Sequence, residues 1–177
     1  MNPIRLTTPL TLGATASLNC GDRVLITGTI YTARDAAHLK MIQELEKGGE
    51  IPFPLDGSVI YYAGPTPTRP GNISGAFGPT TSGRMDKMTV PLLDRGLKGM
   101  IGKGLRSQEV IDSIIKNKAV YFAAVGGAGA LIARSVKEIS VVAYDDLGAE
   151  AIRKIEVEDF PAIVAIDSTG KCIYDRE

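Results

Sequence analysis

Strand-like and helix-like segments alternate along most of this 177-residue chain. The segment Arg23–Thr32 (RVLITGTIYT) is rich in β-branched residues and predicts a strand. Ala37, Met41 and Leu45 recur every four residues directly after it, and Gly48 supplies a stop, so a helix is predicted there. Because alternating segments of these two kinds build sheets covered by helices, we predict an α/β fold with a mixed sheet flanked by helices.

The same two patterns predict further elements. Strands are predicted over SVIYYAG, GMIGKG, AVYFAAV and EISVVAYDD, and a hairpin is predicted where PAIVAID and KCIYD flank STG. Helices are predicted over RMDKMTVPLLDRG, over SQEVIDSIIKN with Ser107 as its N-cap, and after the glycine turn in GGAGALIARSV. The length suits one domain over residues 1–177.

Composition excludes several classes of protein. Hydrophobic residues make up 44% of the chain, as in globular domains, and the 20 basic and 20 acidic side chains give no argument for nucleic acid or an anionic membrane as partner. No apolar run approaches the ~20 residues of a membrane span, and the start MNPIRLTTPL lacks the pattern of a signal peptide. The two cysteines, Cys20 and Cys172, are too few for a disulfide scaffold or a metal cage. We expect a soluble, cytoplasmic protein without metal ligands of its own.

A long loop, GPTPTRPGNISGAFGP, leads into the stretch FGPTTSGRMD. Loops of this length inside a compact domain are uncommon and are usually functional or disordered. Thr80, Thr81 and Ser82 are either N-caps for the following helix or hydroxyls that line a ligand site. Gly83 favours the ligand site, because glycine is unfavourable in a helix and allows close approach to the backbone.

Two glycine-rich motifs do not predict a nucleotide site. GGAGAL follows a strand, but it lacks the third glycine of a dinucleotide-binding loop and the acidic residue that would contact the ribose. The GKG motif at 102–104 has Gly104 where a phosphate loop has Ser or Thr. Close packing of a helix on its strand is the simpler use of the GGAGAL glycines.

Cationic side chains stand near the predicted ends of strands, where α/β proteins build sites. Arg34 and His38 are four residues apart and share a helix face, Arg84 offers a planar fork for a carboxylate, and Lys103 follows a buried strand. Together Arg34, Arg84 and Lys103 would form a cationic pocket for a small dianion. The alternatives are scattered surface charge and, for His38, a solvated helix residue.

Several segments resemble one family. GTIYTARDAAH, GPTTSGRMD, GKG, YFAAVGGAGAL and AIRKIEVEDFPAIVAIDS are similar, in this order, to the β subunit or C-terminal domain of class I fumarate hydratases and L-tartrate dehydratases. The resemblance implies a swivelling β/β/α-type domain that closes over an iron–sulfur site. It also implies a [4Fe–4S] cluster held by three cysteines of a separate α subunit or N-terminal domain, whose open iron binds the substrate as a Lewis acid.

The resemblance implies roles for five residues of this chain. Arg34 and Arg84 match arginines that bind the substrate carboxylates, and Lys103 matches a lysine that contacts the substrate. Thr80 matches the threonine proposed as the base that removes the C3 proton of malate. His38 falls on a histidine suggested as an active-site residue, so Thr80 and His38 compete for the proton-transfer role.

The expected function is that of the β subunit of a [4Fe–4S]-dependent hydro-lyase that interconverts fumarate and L-malate. L-tartrate dehydratases are expected to carry a bulkier residue in place of Gly83, which favours fumarate. The alternatives are a dehydratase for L-tartrate or another 2-hydroxy diacid and, from another class, a non-catalytic carboxylate-binding module. An unaided threonine is a poor base, so its setting must activate it. The electrophile must come from a cluster-bearing partner.

Overall fold

The computed structural model describes residues 2–66, 70–73, 75, 77–124 and 129–175. Its strands are β1 (Ile4–Thr7), β2 (Arg23–Thr32), β3 (Val59–Tyr61), β4 (Gly99–Gly102), β5 (Val120–Ala124), β6 (Val136–Ala143) and β7 (Ile152–Ile166). Its α-helices are α1 (Leu12–Ala16), α2 (Asp35–Glu46), α3 (Asp86–Leu93), α4 (Gln108–Asn117) and α5 (Gly129–Ser135). Two 3₁₀ helices span Ser82–Met85 and Asp145–Glu150. No helix in these described ranges is long and apolar enough to cross a membrane.

The strands form one seven-stranded mixed sheet in the order β1-β2-β3-β4-β5-β7-β6. Neighbours from β1 to β5 run parallel, whereas β7 runs antiparallel to β2, β5 and β6. Because β7 pairs with both β2 and β5, the pairings close a ring through β2, β3, β4, β5 and β7. The mixed α/β sheet predicted from the sequence is confirmed.

Alternating residues along the strands enter two separate cores. In β3, Val59 and Tyr61 belong to one buried cluster and Ile60 to the other, and β5 divides its residues in the same way. Side chains of successive strand residues point to opposite faces, so the clusters lie on the two sides of the strands. Residues of α2, α3 and α4 such as Met41 and Leu92 join the second cluster, so these helices cover that side. The helices that flank the sheet are thus also confirmed.

Most of the predicted elements agree with the structure. The strand predicted over 23–32 has the same bounds as β2, and the short strand in GMIGKG is β4, which is buried throughout. Ser107 is the N-cap of α4 and its Oγ accepts from the Val110 amide at 3.3 Å. The glycine turn of GGAGALIARSV, and with it the dismissed nucleotide motif, falls mainly on residues 125–128, outside the described residues. Helix α5 begins at Gly129.

The predicted C-terminal hairpin is only partly present. Its first arm belongs to β7, which is fifteen residues long and pairs with β2 from Arg153 to Ile163. Its second arm makes a single bridge, between Ile166 and Cys172. The first half of β7 is rich in charged residues and was not predicted as a strand. In the structure its apolar residues Ile152, Ile155 and Val157 are buried, while the charged residues between them stay at least partly exposed.

Candidate active site

The predicted site segments meet at one edge of the sheet. Since β2, β3 and β4 are parallel, their carboxyl ends lie at the same edge. Arg34 stands two residues beyond β2 and Lys103 directly beyond β4. Thr80 donates its amide to the carbonyl of Tyr62, which follows β3, at 2.8 Å. Thr81 forms a parallel bridge with Lys103. Backbone pairing therefore holds the TTSGR stretch between the ends of β3 and β4.

An ion pair ties this stretch to the start of α2. Arg84 Nη2 lies 2.5 Å from Asp35 Oδ2, and the two side chains are 54% and 32% exposed. Asp35 is the first residue of α2, and Arg34 is its N-cap residue without a side-chain capping bond. The buried Nε of Arg34 finds no hydrogen-bond partner among the described residues. A buried cationic donor without a partner is costly, so it favours an acceptor supplied from outside the chain.

The hydroxyls of TTSGR do not cap a helix. Thr81 is the N-cap of the Ser82–Met85 turn without a side-chain hydrogen bond, and the N-cap of α3 is Met85. Ser82 is fully buried, and its Oγ lies 2.7 Å from the hydroxyl of Tyr121. The capping interpretation of this stretch is therefore wrong, since neither helix start has a side-chain capping bond among the described residues. The backbone of Thr80 and Thr81 pairs with the residues that follow β3 and β4. Thr80 is half-buried, and its amide bonds the Tyr62 carbonyl at this edge.

His38 is fully buried, so its interpretation as a solvated helix residue is also wrong. Its Nδ1 lies 2.8 Å from the carbonyl oxygen of Arg34, and because a carbonyl only accepts, Nδ1 carries the proton. Its ring meets that of Tyr62 edge-on, with centroids 5.4 Å apart. Burial lowers the pKa of His38 to about 4, against the hydrogen bond to Arg34, which raises it. The imidazole is thus neutral near pH 7.

The sequence reasoning missed a buried arginine behind the site. The side chain of Arg106 is fully buried and its Nε donates to Asp86 Oδ1 at 2.7 Å. Burial disfavours the charged guanidinium, but Tyr62 and Asp86 more than offset this, so the pKa of Arg106 is raised. Its position three residues after Lys103 was the available signal, but nothing in GKGLRS separates a buried arginine from a surface one.

The cysteines lie far from this edge. Cys20 precedes β2 and Arg34 follows it. Because β2 is ten residues long, its two ends lie about 30 Å apart. Cys20 Sγ lies 3.8 Å from the carbonyl oxygen of Ala165, and Cys172 pairs with the neighbouring Ile166. Among the residues that the structure describes, no group of three or more His, Cys, Asp and Glu side chains could hold a metal ion.

The edge as a whole presents cations on an open surface. Lys103 and Arg84 are exposed and Arg34 is partly buried, while Asp35 is the carboxylate paired with Arg84. A planar guanidinium matches a carboxylate in two-pronged geometry, and an ammonium adds a point charge. This arrangement can bind a small anion with more than one carboxylate.

Comparisons with known proteins place the chain in one family. The family described as Fumarase C-terminus matches residues 1–177. The putative L(+)-tartrate dehydratase subunit beta of Methanocaldococcus jannaschii is 41% identical over 165 residues, which cover 90% of this chain and 85% of the relative. The anaerobic class I fumarate hydratase of Escherichia coli K12 is 45% identical over 157 residues, and fumarate hydratase 2 of Leishmania major is 41% identical over 158.

The matches to those two fumarate hydratases cover 87% and 88% of this chain but only 28% of each relative. The chain therefore spans just over a quarter of their length. The beta-subunit relative is matched over most of its own length, and the family profile covers every residue of this chain. The chain belongs to the Fumarase C-terminus family.

Proposed function

We propose that this chain supplies the substrate-binding half of a hydro-lyase that interconverts fumarate and L-malate. The observation that carries the proposal is the meeting of Arg34, Thr80, Arg84 and Lys103 at the carboxyl edge of β2, β3 and β4. These are the side chains that a dianion and an adjacent proton transfer require. The class I fumarate hydratases among the relatives support the same activity.

The arginines and the lysine hold the dianion. Arg84 keeps donors free for a substrate carboxylate, because a guanidinium has five N–H groups and the Asp35 carboxylate uses only one oxygen, Oδ2, in their contact. The unpartnered Nε of Arg34 offers a second contact. The backbone of Lys103 is bridged to Thr81, so the exposed lysine side chain begins beside the TTSGR stretch and adds a positive charge to this edge.

We propose that Thr80 is the base that removes the C3 proton of malate. Thr80 is half-buried, and its backbone lies at the edge that carries Arg34, Arg84 and Lys103. Positive charge close to its hydroxyl would favour the ionised oxygen that a base requires. His38 is the rival residue. We infer that it positions Arg34 rather than transferring the proton, because it is neutral, fully buried and bonded to the Arg34 carbonyl through Nδ1.

A [4Fe–4S] cluster does not fit the donor set of this chain. Cys20 and Cys172 are its only cysteines, and Cys20 lies at the opposite end of β2 from Arg34. We propose that a separate α subunit or domain holds the cluster and faces the cationic edge, and that this chain is a swivelling domain that closes on it. The beta-subunit name of the M. jannaschii relative supports a partner. The proposal includes a cytoplasmic location, which fractionation of source cells tests.

The test is reconstitution with a cluster-bearing partner from the same source under anaerobic conditions. Fumarate, mesaconate and L-tartrate are offered to the complex, to the partner alone and to this chain alone. We expect the complex to hydrate fumarate and this chain alone to be folded but inactive. Hydration of fumarate by the isolated chain at an enzyme-like rate would contradict the half-site proposal.

An L-tartrate dehydratase is the second candidate, because the beta-subunit relative bears that name. A higher kcat/KM for L-tartrate than for malate in the same panel would select it. A non-catalytic carboxylate-binding module is the candidate from another class. Malonate binding by a complex that is inactive on every diacid would select that module.

A further inference from the structure

Buried contacts join the two segments that carry most of the proposed site. We call residues 80–86 the hydroxyl turn, which includes Thr80 and Arg84, and residues 103–107 the lysine loop, which begins with Lys103. The Ser82 amide donates to the Lys103 carbonyl at 2.9 Å. This backbone bond alone leaves the far ends of the two segments unconnected.

Arg106 connects those far ends. Its Nε donates to Asp86 Oδ1 at 2.7 Å, and Asp86 Oδ2 accepts from the Ser107 amide at 2.6 Å. Its Nη2 lies 3.1 Å from both the Tyr62 hydroxyl and Thr89 Oγ1. Asp86 ends the hydroxyl turn and Arg106 lies in the lysine loop. The Asp86 carboxylate therefore clamps the two segments through two donors of one loop.

Tyr121 makes a second clamp from β5. Its hydroxyl donates to the Gly104 carbonyl at 2.9 Å and lies 2.7 Å from Ser82 Oγ, so it contacts one residue of each segment. Burial raises the pKa of Tyr121, so the phenol remains a donor near neutral pH. The Arg106 guanidinium stacks between the rings of Tyr62 and Tyr121, with Cζ 5.2 and 4.8 Å from their centroids.

The same network extends through Tyr62 to the Thr80 backbone and, by way of His38, to Arg34. The Tyr62 carbonyl accepts from the Thr80 amide, and the Tyr62 ring contacts that of His38, which bonds the Arg34 carbonyl. Tyr62 thus stands between Arg106 and both Thr80 and Arg34.

Stability alone does not account for a buried arginine at this place. Replacing a buried ion pair by apolar side chains of similar volume is often neutral or stabilising, since desolvation offsets the attraction between the charges. What the planar guanidinium does supply is fixed direction, because its Nε bonds Asp86 while its Nη2 contacts the Tyr62 and Thr89 hydroxyls. Apolar packing would fill the same space without setting the angle between the segments.

We propose that Arg106 and Tyr121 are positioning residues that hold Thr80, Arg84 and Lys103 in one geometry for proton transfer. The inference rests on the proposed function, because it assigns these two residues to the same site. Proton transfer depends more steeply on placement than binding of a dianion does, because part of the binding comes from Coulomb attraction, which changes slowly with distance. Displacement of the two segments should therefore slow turnover more than it weakens dicarboxylate binding.

The test uses Arg106→Lys and Tyr121→Phe in the assembled complex. Arg106→Lys keeps the charge and loses the fork, while Tyr121→Phe keeps the ring and loses the hydroxyl. We expect kcat to fall roughly tenfold to a hundredfold in each, while the inhibition constant for malonate changes by less than about threefold. The matched control is Arg5→Lys on β1, whose exposed arginine also pairs with an aspartate, Asp159, at 2.6 Å. Its kcat should equal that of the wild type.

A second readout needs no activity. In the isolated chain, Arg106→Lys should raise amide hydrogen exchange at Ser107, whose amide donates to Asp86, and Tyr121→Phe should raise it at Ser82, by roughly tenfold each. A wild-type complex inactive on every diacid would reject the proposed function but leave this readout intact. Unchanged kcat in both folded variants of an active complex would overturn the positioning role, whatever their melting temperatures. Equal losses in Arg5→Lys would overturn it too.

Discussion

Arg84 Nη2 lies 2.5 Å from Asp35 Oδ2, so the start of α2 and the turn that carries Thr80 are joined by an ion pair at the sheet edge. Asp35 Oδ1 has no partner among the described residues, so the carboxylate engages the guanidinium through one oxygen. An exposed pair of this kind adds little to stability, about 0–1 kcal/mol. The pair orients Arg84 and leaves its other donors for the substrate carboxylate that we propose.

Arg84→Lys should lower kcat/KM of the assembled complex about 30-fold, equivalent to about 2 kcal/mol. The lysine keeps the charge but loses the fork that matches a carboxylate. Steady-state kinetics on fumarate and malate measure the change. Arg95→Lys is the control, because Arg95 is an exposed arginine whose side chain donates to the Pro91 carbonyl of α3. If Arg84→Lys had the same kcat/KM as the wild type, Arg84 would not bind the substrate. Arg34→Lys is expected to behave like Arg84→Lys.

Thr80→Ala should lower kcat by roughly 10²–10⁴-fold, the usual contribution of a placed proton-transfer group. The free energy of unfolding should change by less than about 0.5 kcal/mol, because the Thr80 side chain caps no helix. Single-turnover kinetics with an intact cluster, together with malonate binding, separate chemistry from substrate affinity. Thr81→Ala controls for position. Retained turnover in Thr80→Ala with collapse in His38→Ala would assign the role to the histidine.

The sequence pattern predicted more of the fold than of the site. β2, α2, β4 and α4 carry their signals locally, in β-branched runs, four-residue spacing and the Ser107 cap. The first half of β7 does not, because its strand state depends on pairing with β2, more than 120 residues away in sequence. The ring that β7 closes is therefore a tertiary property that no window of sequence contains.

For the site, the sequence indicated which cations stand near the strand ends and missed the buried groups around them. Arg34, Arg84 and Lys103 follow strands or a glycine-rich motif, so position along the chain was informative. The buried partners were not predictable, since the pairing of Arg106 with Asp86 depends on how α3 and α4 pack. His38 was placed on the right helix, but its burial follows from contact with Tyr62, which is distant in sequence.

Gly102→Ala should lower the free energy of unfolding by about 1–3 kcal/mol, the usual effect of overpacking. A Cβ at Gly102 would lie 1.9 Å from Ser82 Oγ and 2.8 Å from Tyr62 Cδ2. Denaturant titration measures the loss, and adding Ser82→Ala to the same chain should recover part of it. Gly13→Ala is the control, because its Cβ would meet only Thr11 Oγ1, at 3.9 Å, inside α1. A Gly102→Ala chain as stable as the wild type would contradict the close packing of β4 against the Ser82–Met85 turn.

His38 should make the chain less stable as the pH falls from 6.5 to 4. It is the only histidine, and burial lowers its pKa in the folded chain to about 4, from 6.5 in an unfolded one. Its hydrogen bond to Arg34 and the Asp35 charge oppose this shift, while Arg106 adds to it. Between these two pH values the unfolded chain binds a proton that the folded chain excludes.

The contribution of His38 is therefore fully present above pH 6.5, decreases by up to about 3 kcal/mol as the pH falls to 4, and changes no further below it. Denaturant titrations of the wild type and of His38→Asn across pH 4–8 test this, because asparagine keeps a donor near the Nδ1 position and does not titrate. Carboxylates titrate in both chains, so the difference between the two curves isolates the imidazole. We expect that difference to shift in favour of the variant as the pH falls below 6.5. Parallel curves would show that His38 is not held neutral against the Arg34 carbonyl.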